Sequence, residues 1–313
     1  MNSPSYIFTS RQSALAPPAL EGVELAFVGG SVDDRGSATI NALKGVATTV
    51  SRFRFDPYNQ EIYLNDQITN RQRLTEHMAS RGRILVDATT LGLGEILHIL
   101  MATRQGRHQS IEFLYAEPGD YTRNTSENAG EPQRREFKLT TNCRFQSVLG
   151  FAHEYQPNMK AAHVFMLGYE PARIRNAVEQ RDDLDRERYG IHVVIGIPAF
   201  QSGWESNSIR PHLSVLEELD INEHSISYCQ ANSIRETYFS LWELYRQLGD
   251  ERGCFYVSPI GTKPHAVGAA LFLLETKGNE PTTSLYYDHP ERVSKRSSDV
   301  ATWHHVKVQL LSS

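Results

Sequence analysis

Phe255-Tyr-Val-Ser-Pro-Ile-Gly-Thr-Lys-Pro-His-Ala-Val-Gly-Ala-Ala-Leu-Phe-Leu-Leu274 sets the fold class. The run Cys254 to Val257 is short and apolar, as a buried strand is. Ser258-Pro259-Ile260-Gly261 is a turn, and the small and leucine-rich residues from about Lys263 to Leu274 predict a helix. Thr262 is suited to cap that helix, and Pro264 falls in the first turn, where its missing N–H removes no helical bond. A strand, a glycine turn and a helix start gather free backbone N–H groups and the positive end of the helix dipole at one point. Lys263 adds a full positive charge, so the stretch offers a seat for a phosphate or a carboxylate. A plain strand-to-helix connection has the same layout, and every α/β protein holds several.

An earlier stretch repeats the pattern. Arg83-Ile-Leu-Val-Asp-Ala-Thr-Thr-Leu-Gly-Leu-Gly-Glu-Ile-Leu-His-Ile-Leu-Met101 reads as strand, polar turn and apolar helix. Val86 and Val257, Asp87 and Ser258, and Thr90 and Gly261 fall on one offset of 171 positions. The next strands keep it, Leu114, Tyr115 and Glu117 matching Leu285, Tyr286 and Asp288. Two strand–turn–helix–strand units in one register predict an internal duplication.

The rest of the chain alternates strand and helix. Val23–Val28 reads as a first strand, followed by Gly29-Gly30-Ser31 and a helix near Ser37–Leu43. That is where a Rossmann-type domain approaches its ligand, although the G-x-G-x-x-G spacing is absent. The expected class is α/β: two Rossmann-like lobes with mostly parallel sheets, residues 1–150 and 151–313. Residues 1–21 are polar and proline-bearing and predict loose packing, and Val306–Leu310 reads as an edge strand. Residues 119–135 hold no periodicity and read as an exposed flexible loop.

Composition narrows the function classes. The 313 residues suffice for two cores, and a net charge of −5 provides no global field toward nucleic acid, leaving only a local basic groove open. Three widely spaced cysteines, Cys143, Cys229 and Cys254, suit a reducing cytosol. The N-terminus shows no basic segment followed by an apolar one, and the longest apolar run, Ala266–Leu274, is far short of the roughly 20 residues of a membrane span. The expectation is a cytoplasmic protein with no membrane partner.

In parallel sheets ligands bind beyond the carboxyl ends of the strands. The residues expected there are Gly29, Gly30, Ser31 and Asp33; Asp87, Thr89 and Thr90; Glu117; Glu170 and Arg173; Gln201 and Trp204; Gly261, Thr262, Lys263 and His265; and Asp288. Hydroxyls, an aromatic and one lysine at a helix start suit a nucleotide better than an apolar ligand. No P-loop and no G-x-S-x-G elbow occurs. The neighbours His304 and His305 point apart on a strand, so no metal site is expected, and no cofactor is called for. A nuclease arrangement can be drawn from Asp120 with Glu136-Phe137-Lys138, flanked by Arg134 and Arg135. Asp87 can equally serve its own helix start, and Trp204 can equally serve loop packing.

Val257-Ser-Pro-Ile-Gly-Thr-Lys-Pro-His-Ala-Val-Gly268 resembles the strand-then-Gly-Thr-Lys helix start of CARF domains, Rossmann-like sensors of cyclic oligonucleotides in prokaryotic antiviral systems. Val86-Asp-Ala-Thr-Thr-Leu-Gly92 stands where such domains carry an Asp-Thr or Thr-Gly turn, and two such lobes are similar in plan to the fused pair of a SAVED domain. Pro259 and Ile260 depart from the usual polar, glycine-rich lead. The resemblance implies a nucleotide-sensing protein of a defence or stress system, with Gly29, Gly30, Ser31, Asp87, Thr89, Thr90, Gly261, Thr262, Lys263 and His265 as its binding set. It leaves open an enzyme of ring-nuclease or nuclease type, an adaptor using residues 119–135 to contact a partner defence protein, and a homo-oligomer. No catalytic residue is assigned.

Overall fold

A computed structural model describes residues 5–18, 20–122, 137–141, 143–146, 148–153, 159–181, 188–249 and 253–310. The chain forms two compact units. The first comprises Met1–Asp120, Ala270–Glu275 and Ser297–Ser313, and the second Tyr121–Ala269 and Thr276–Arg296. A division at residue 150 is therefore not how the chain groups. Residues 121–150 belong with the second unit, and the C-terminal strand returns to the first.

In the first unit the order is β1 (Tyr6–Ser13), β2 (Leu25–Val28), α1 (Asp34–Val46), β3 (Thr49–Asp56), β4 (Glu61–Leu64), β5 (Gln67–Thr69), α2 (Arg71–Ala79), β6 (Ile84–Asp87), α3 (Leu93–Gln105) and β7 (Ser110–Tyr121). The second adds β8 (Thr140–Thr141), β9 (Ala161–Met166), α4 (Pro171–Glu179), β10 (Tyr189–Gly196), α5 (Glu205–Glu218), β11 (Ile226–Cys229), α6 (Ile234–Gly249), β12 (Cys254–Ser258), α7 (Lys263–Glu275, of which Ala270–Glu275 groups with the first unit), β13 (Thr282–Leu285) and β14 (Glu291–Arg292). β15 (Ser297–Leu310) completes the first unit.

The fold is α/β. One sheet has the order β1-β15-β7-β6-β2-β3-β4-β5, with β3, β2, β6 and β7 parallel. The other, β11-β10-β9-β12-β13, is parallel throughout. Strands β2, β6, β9 and β12 are buried at every position, which is why they read as continuous apolar runs rather than alternating ones. Helix starts follow local chemistry. Asp33 caps α1 by accepting from Gly36 N–H at 3.0 Å, Asn70 caps α2 through Arg73 N–H at 2.9 Å, and Pro171 opens α4.

Both sheets reverse strand order at the same place. The first strand, β2 or β9, has the second on one side, and the strand bearing Asp87 or Ser258 on the other. The two strand–turn–helix–strand units thus hold the same position in their sheets. The offset slips by one residue in the last pairing, where Val86 lies opposite Phe113 but Val257 opposite Leu285.

Three expectations change. The N-terminal residues do not pack loosely: β1 pairs antiparallel with β15 from Tyr6↔Leu310 to Ser13↔Trp303. Its polar composition hid a strand whose order comes from a partner almost the whole chain away. That same pairing puts β15 inside the sheet, not on its edge, and lengthens it to 14 residues. Finally, the stretch expected as a loop from residue 119 begins as strand, since β7 runs to Tyr121, and residues 123–136 lie outside the described residues. Among the described residues no helix is long and apolar enough to cross a membrane.

Candidate functional site

At the carboxyl edge of the first unit, Asp87 ends β6 fully buried. Its carboxylate accepts from Thr89 N–H at 2.9 Å, Thr90 N–H at 3.4 Å and the Thr90 hydroxyl at 2.5 Å. Burial pushes its pKa up to about 6 against the pull of those donors. The threonines pass the network on: Thr90 Oγ1 accepts from Gly29 N–H at 2.8 Å, and Thr89 Oγ1 from Ala116 N–H at 2.9 Å. Asp87, Thr89, Thr90 and Gly29 are therefore brought together as one hydrogen-bonded knot. Gly29 is required by it, because a Cβ there would stand 2.6 Å from the Thr90 carbonyl oxygen. Gly30 and Ser31 lie outside the knot on the surface, Ser31 Oγ donating to the Asp33 carbonyl at 2.9 Å.

The second unit builds the equivalent edge from backbone. A Cβ on Gly261 would meet the Leu167 carbonyl oxygen at 2.6 Å, and one on Gly168 the Ile260 carbonyl oxygen at 2.9 Å, so the loops after β9 and β12 interlock. Thr262 Oγ1 donates to the Ala231 carbonyl at 2.6 Å and accepts from His265 N–H at 3.4 Å. Ala231 N–H in turn donates to the Pro198 carbonyl at 3.0 Å. All four βα loops of this sheet thus converge on the start of α7. His265 is fully buried beneath them, Nε2 facing the Gln230 carbonyl at 3.2 Å and Nδ1 without a partner among the described residues, and burial brings its pKa down to about 4. Lys263 is half-buried at the first turn of α7.

Beside this convergence stands a group of rings. Tyr169 follows Gly168 directly, and Trp204 precedes α5, whose Ser208 hydroxyl donates to the Gly168 carbonyl at 2.8 Å. Tyr121 touches both, with ring centroids 5.5 Å from Tyr169 and 5.7 Å from Trp204, and Phe137 lies 5.0 Å from Tyr169. Tyr121, Tyr169 and Trp204 are each half-exposed.

No family model matches the chain, and no curated relative does. Among solved structures, the crystal structure of periplasmic ribose ABC transporter from Conexibacter woesei DSM 14684 is similar over 82% of this chain and 68% of that one, at 10% identity and a TM-score of 0.21. At those values the likeness adds nothing to the fold described above.

The expected residues therefore fall into two sets, one in each unit. Three residues expected as ligand contacts, Arg173, Asp288 and Asp33, are instead members of buried ion pairs. Arg173 on α4 grips Asp288 with Nε and Nη2, both at 2.6 Å, and donates from Nη1 to the Ile260 carbonyl. Asp33 pairs with Arg35, 3.0 Å away, and both bond Ser297. Glu170 is taken by Leu139 N–H, Thr140 N–H and the Thr140 hydroxyl. Glu117 and Glu112 hold His304 and His305 at 2.7 Å each, on opposite sides of β15. Of the nuclease arrangement, Arg134, Arg135 and Glu136 lie outside the described residues. Of the aromatic group Trp204 was expected, but Tyr121, Phe137 and Tyr169 were missed because the four share no sequence period. The signal that was legible is an arginine in the first turn after each first strand, Arg35 and Arg173.

Proposed function

We propose that the chain binds a nucleotide at the carboxyl edge of the second unit, the phosphate at the start of α7 and the base on the adjacent rings. One observation carries this reading: four βα loops converge on the Thr262–Lys263 helix start beside half-exposed Tyr169, Tyr121 and Trp204. A helix N-terminus with an ammonium favours an oxyanion, and aromatic faces accept any base. Because Gly261 and Gly168 close the crevice between β9 and β12, the ligand lies over the loops rather than between the strands. That placement leaves room for an extended ligand, and the cyclic-oligonucleotide reading, with its defence setting, rests further on the resemblance at Val257–Gly268.

Calorimetry with mononucleotides and cyclic oligoadenylates tests it. Lys263→Ala should weaken binding about 10- to 100-fold, from the loss of a charge-assisted hydrogen bond. Trp204→Ala should cost roughly 1–3 kcal/mol of stacking. Unchanged affinity in both variants, with unchanged melting, would remove this edge as the site. Linear products accumulating from a cyclic probe would turn the sensor into a ring nuclease.

A further inference from the structure

A second site lies at the opposite edge of the same sheet, where its strands begin. There a cavity of about 590 Å³ opens between the ends of α4 and α5 and the first residues of β10. That volume lies within the range of small-molecule sites, roughly 300–1,000 Å³. Its lining carries both signs: Arg181 and Arg175 beside Tyr189, and Glu179, Glu218 and Asp220, with Arg175 held by Glu218 through two contacts of 3.1 and 3.2 Å.

Arg181 is set in place with care. Its guanidinium lies over the rings of Tyr286, Tyr256 and Tyr189, at 4.3, 4.5 and 5.6 Å from their centroids. Behind it runs a buried polar chain. Arg181 Nη1 donates to Tyr189 Oη at 3.4 Å, and Tyr189 Oη bonds His163 Nδ1. His163 Nε2 meets Ser258 Oγ at 2.6 Å, whose hydrogen goes to the Tyr286 carbonyl at 2.5 Å. Since Ser258 has one hydrogen, His163 must donate from Nε2 and accept at Nδ1, which leaves Tyr189 as the donor to it. Every proton in the chain is thereby assigned, and burial keeps His163 neutral. A polar chain through a core costs desolvation that apolar side chains would avoid.

Asp220 carries two costs of its own. Asp220 sits in the left-handed region (φ 54°) at the end of α5, a position that glycine or asparagine fills more cheaply. Ile221 N–H closes that end on the Leu216 carbonyl at 2.9 Å, and Asp220 N–H on the Glu217 carbonyl at 3.0 Å. Its carboxylate also stands at the negative end of the helix dipole, where a cation is favoured. A carboxylate kept where both backbone and dipole disfavour it suits a cationic guest.

We propose that this cavity binds a zwitterionic small molecule of free amino-acid or short-peptide type. The carboxylate pairs with Arg181, and the ammonium with Asp220, Glu179 and the end of α5. His163 and Tyr189 are positioning residues that hold Arg181 at its angle.

Calorimetry on the full chain with free L-α-amino acids, glycyl dipeptides and their N-acetyl and amide counterparts tests the proposal. At least one free zwitterion should bind, with its N-acetyl and amide forms each about 10-fold or more weaker, since each loses one charge-assisted contact. Arg181→Gln should lower affinity for the free form about 10-fold or more. Asp220→Asn keeps a residue that tolerates the left-handed backbone, so folding is preserved. It should cost the free form about 10-fold and leave the N-acetyl form unchanged. Tyr189→Phe should weaken binding less than Arg181→Gln, and Lys263→Ala should leave it unchanged. No binding by any free amino acid or dipeptide, equal binding of N-acetyl forms, or indifference to Asp220→Asn would overturn the site. Loss of zwitterion binding on Lys263→Ala would move it to the other edge.

Discussion

Asp87 and Ser258 end topologically equivalent strands, yet the chain around each solves a different problem. Asp87 is a buried carboxylate, and the Thr89–Thr90 turn is built to feed it donors. Ser258 is neutral, needs only two partners, and finds them in His163 and the Tyr286 carbonyl. The loop after Ser258 is therefore released from serving the strand end, and closes instead by glycine against backbone, with Thr262 bonded to Ala231 and Lys263 at the helix start. Equivalent positions in the two sheets thus hold a structural knot in one and a loop convergence that can face a ligand in the other. The buried arginines differ too, Arg173 held by a bidentate carboxylate and the Ile260 carbonyl, and Arg35 by Asp33, Ser297 and the Ala116 carbonyl.

The ion pairs offer the strongest way to break that comparison. Asp288→Ala strands a guanidinium in the core of the second unit, and denaturant unfolding should show a loss of about 3–5 kcal/mol. Asp33→Ala should cost less, because Arg35 loses one carboxylate contact and keeps Ser297 and the Ala116 carbonyl, whereas Arg173 loses two and keeps the Ile260 carbonyl. Equal losses would mean that the two arginines are not held differently.

Next in size is the pH response of Asp87. Its folded pKa of about 6 lies above the ordinary 3.8, so the folded state binds the proton more tightly than the unfolded one. The cost of ionising it is absent below about pH 4 and complete above about pH 6. Asp87→Asn escapes that cost, so its stability relative to the parent should rise across this window, by roughly 2–3 kcal/mol. Ser258 has no such charge, and Ser258→Ala should show no matching pH dependence. A flat pH profile for Asp87→Asn would dissolve the contrast.

Gly29→Ala and Gly261→Ala sharpen the comparison from the other side. Each would put a Cβ 2.6 Å from a carbonyl oxygen of the neighbouring loop, so both should destabilise, by about 1–3 kcal/mol in thermal or denaturant melts. Clearly unequal losses would show that the two glycines are not equally confined. The smallest expected effect is that of half-buried Lys263→Ala on stability, about 1 kcal/mol or less, while nucleotide affinity falls.

Much of the fold was legible because the central strands are buried on both faces. Ile84–Asp87, Ala161–Met166 and Cys254–Ser258 announce themselves as apolar runs, and Pro171 and Thr262 mark helix starts through local backbone chemistry. The Gly261 turn and the shared offset were legible for the same reason: both depend on residues near in sequence. The polar strand Tyr6–Ser13 was not legible, since nothing local distinguishes it from a loop.

The sequence by itself determined the α/β class, the two repeated units and the helix start that carries Lys263. Only the tertiary structure decided which polar residues face inward. Asp87, Asp33, Arg173 and Asp288 are chemically fit to meet a ligand. Asp87 is satisfied by its own turn, whereas Asp33 gains Ser297 and Arg173 gains Asp288, 115 residues away, only through folding. The same holds for Arg181, whose three tyrosines come from three separate strands or strand ends. A side chain's chemistry is written in its type, but its partner is set by loop closure across the sheet, and burial makes that partner, not the type, decide what the residue does.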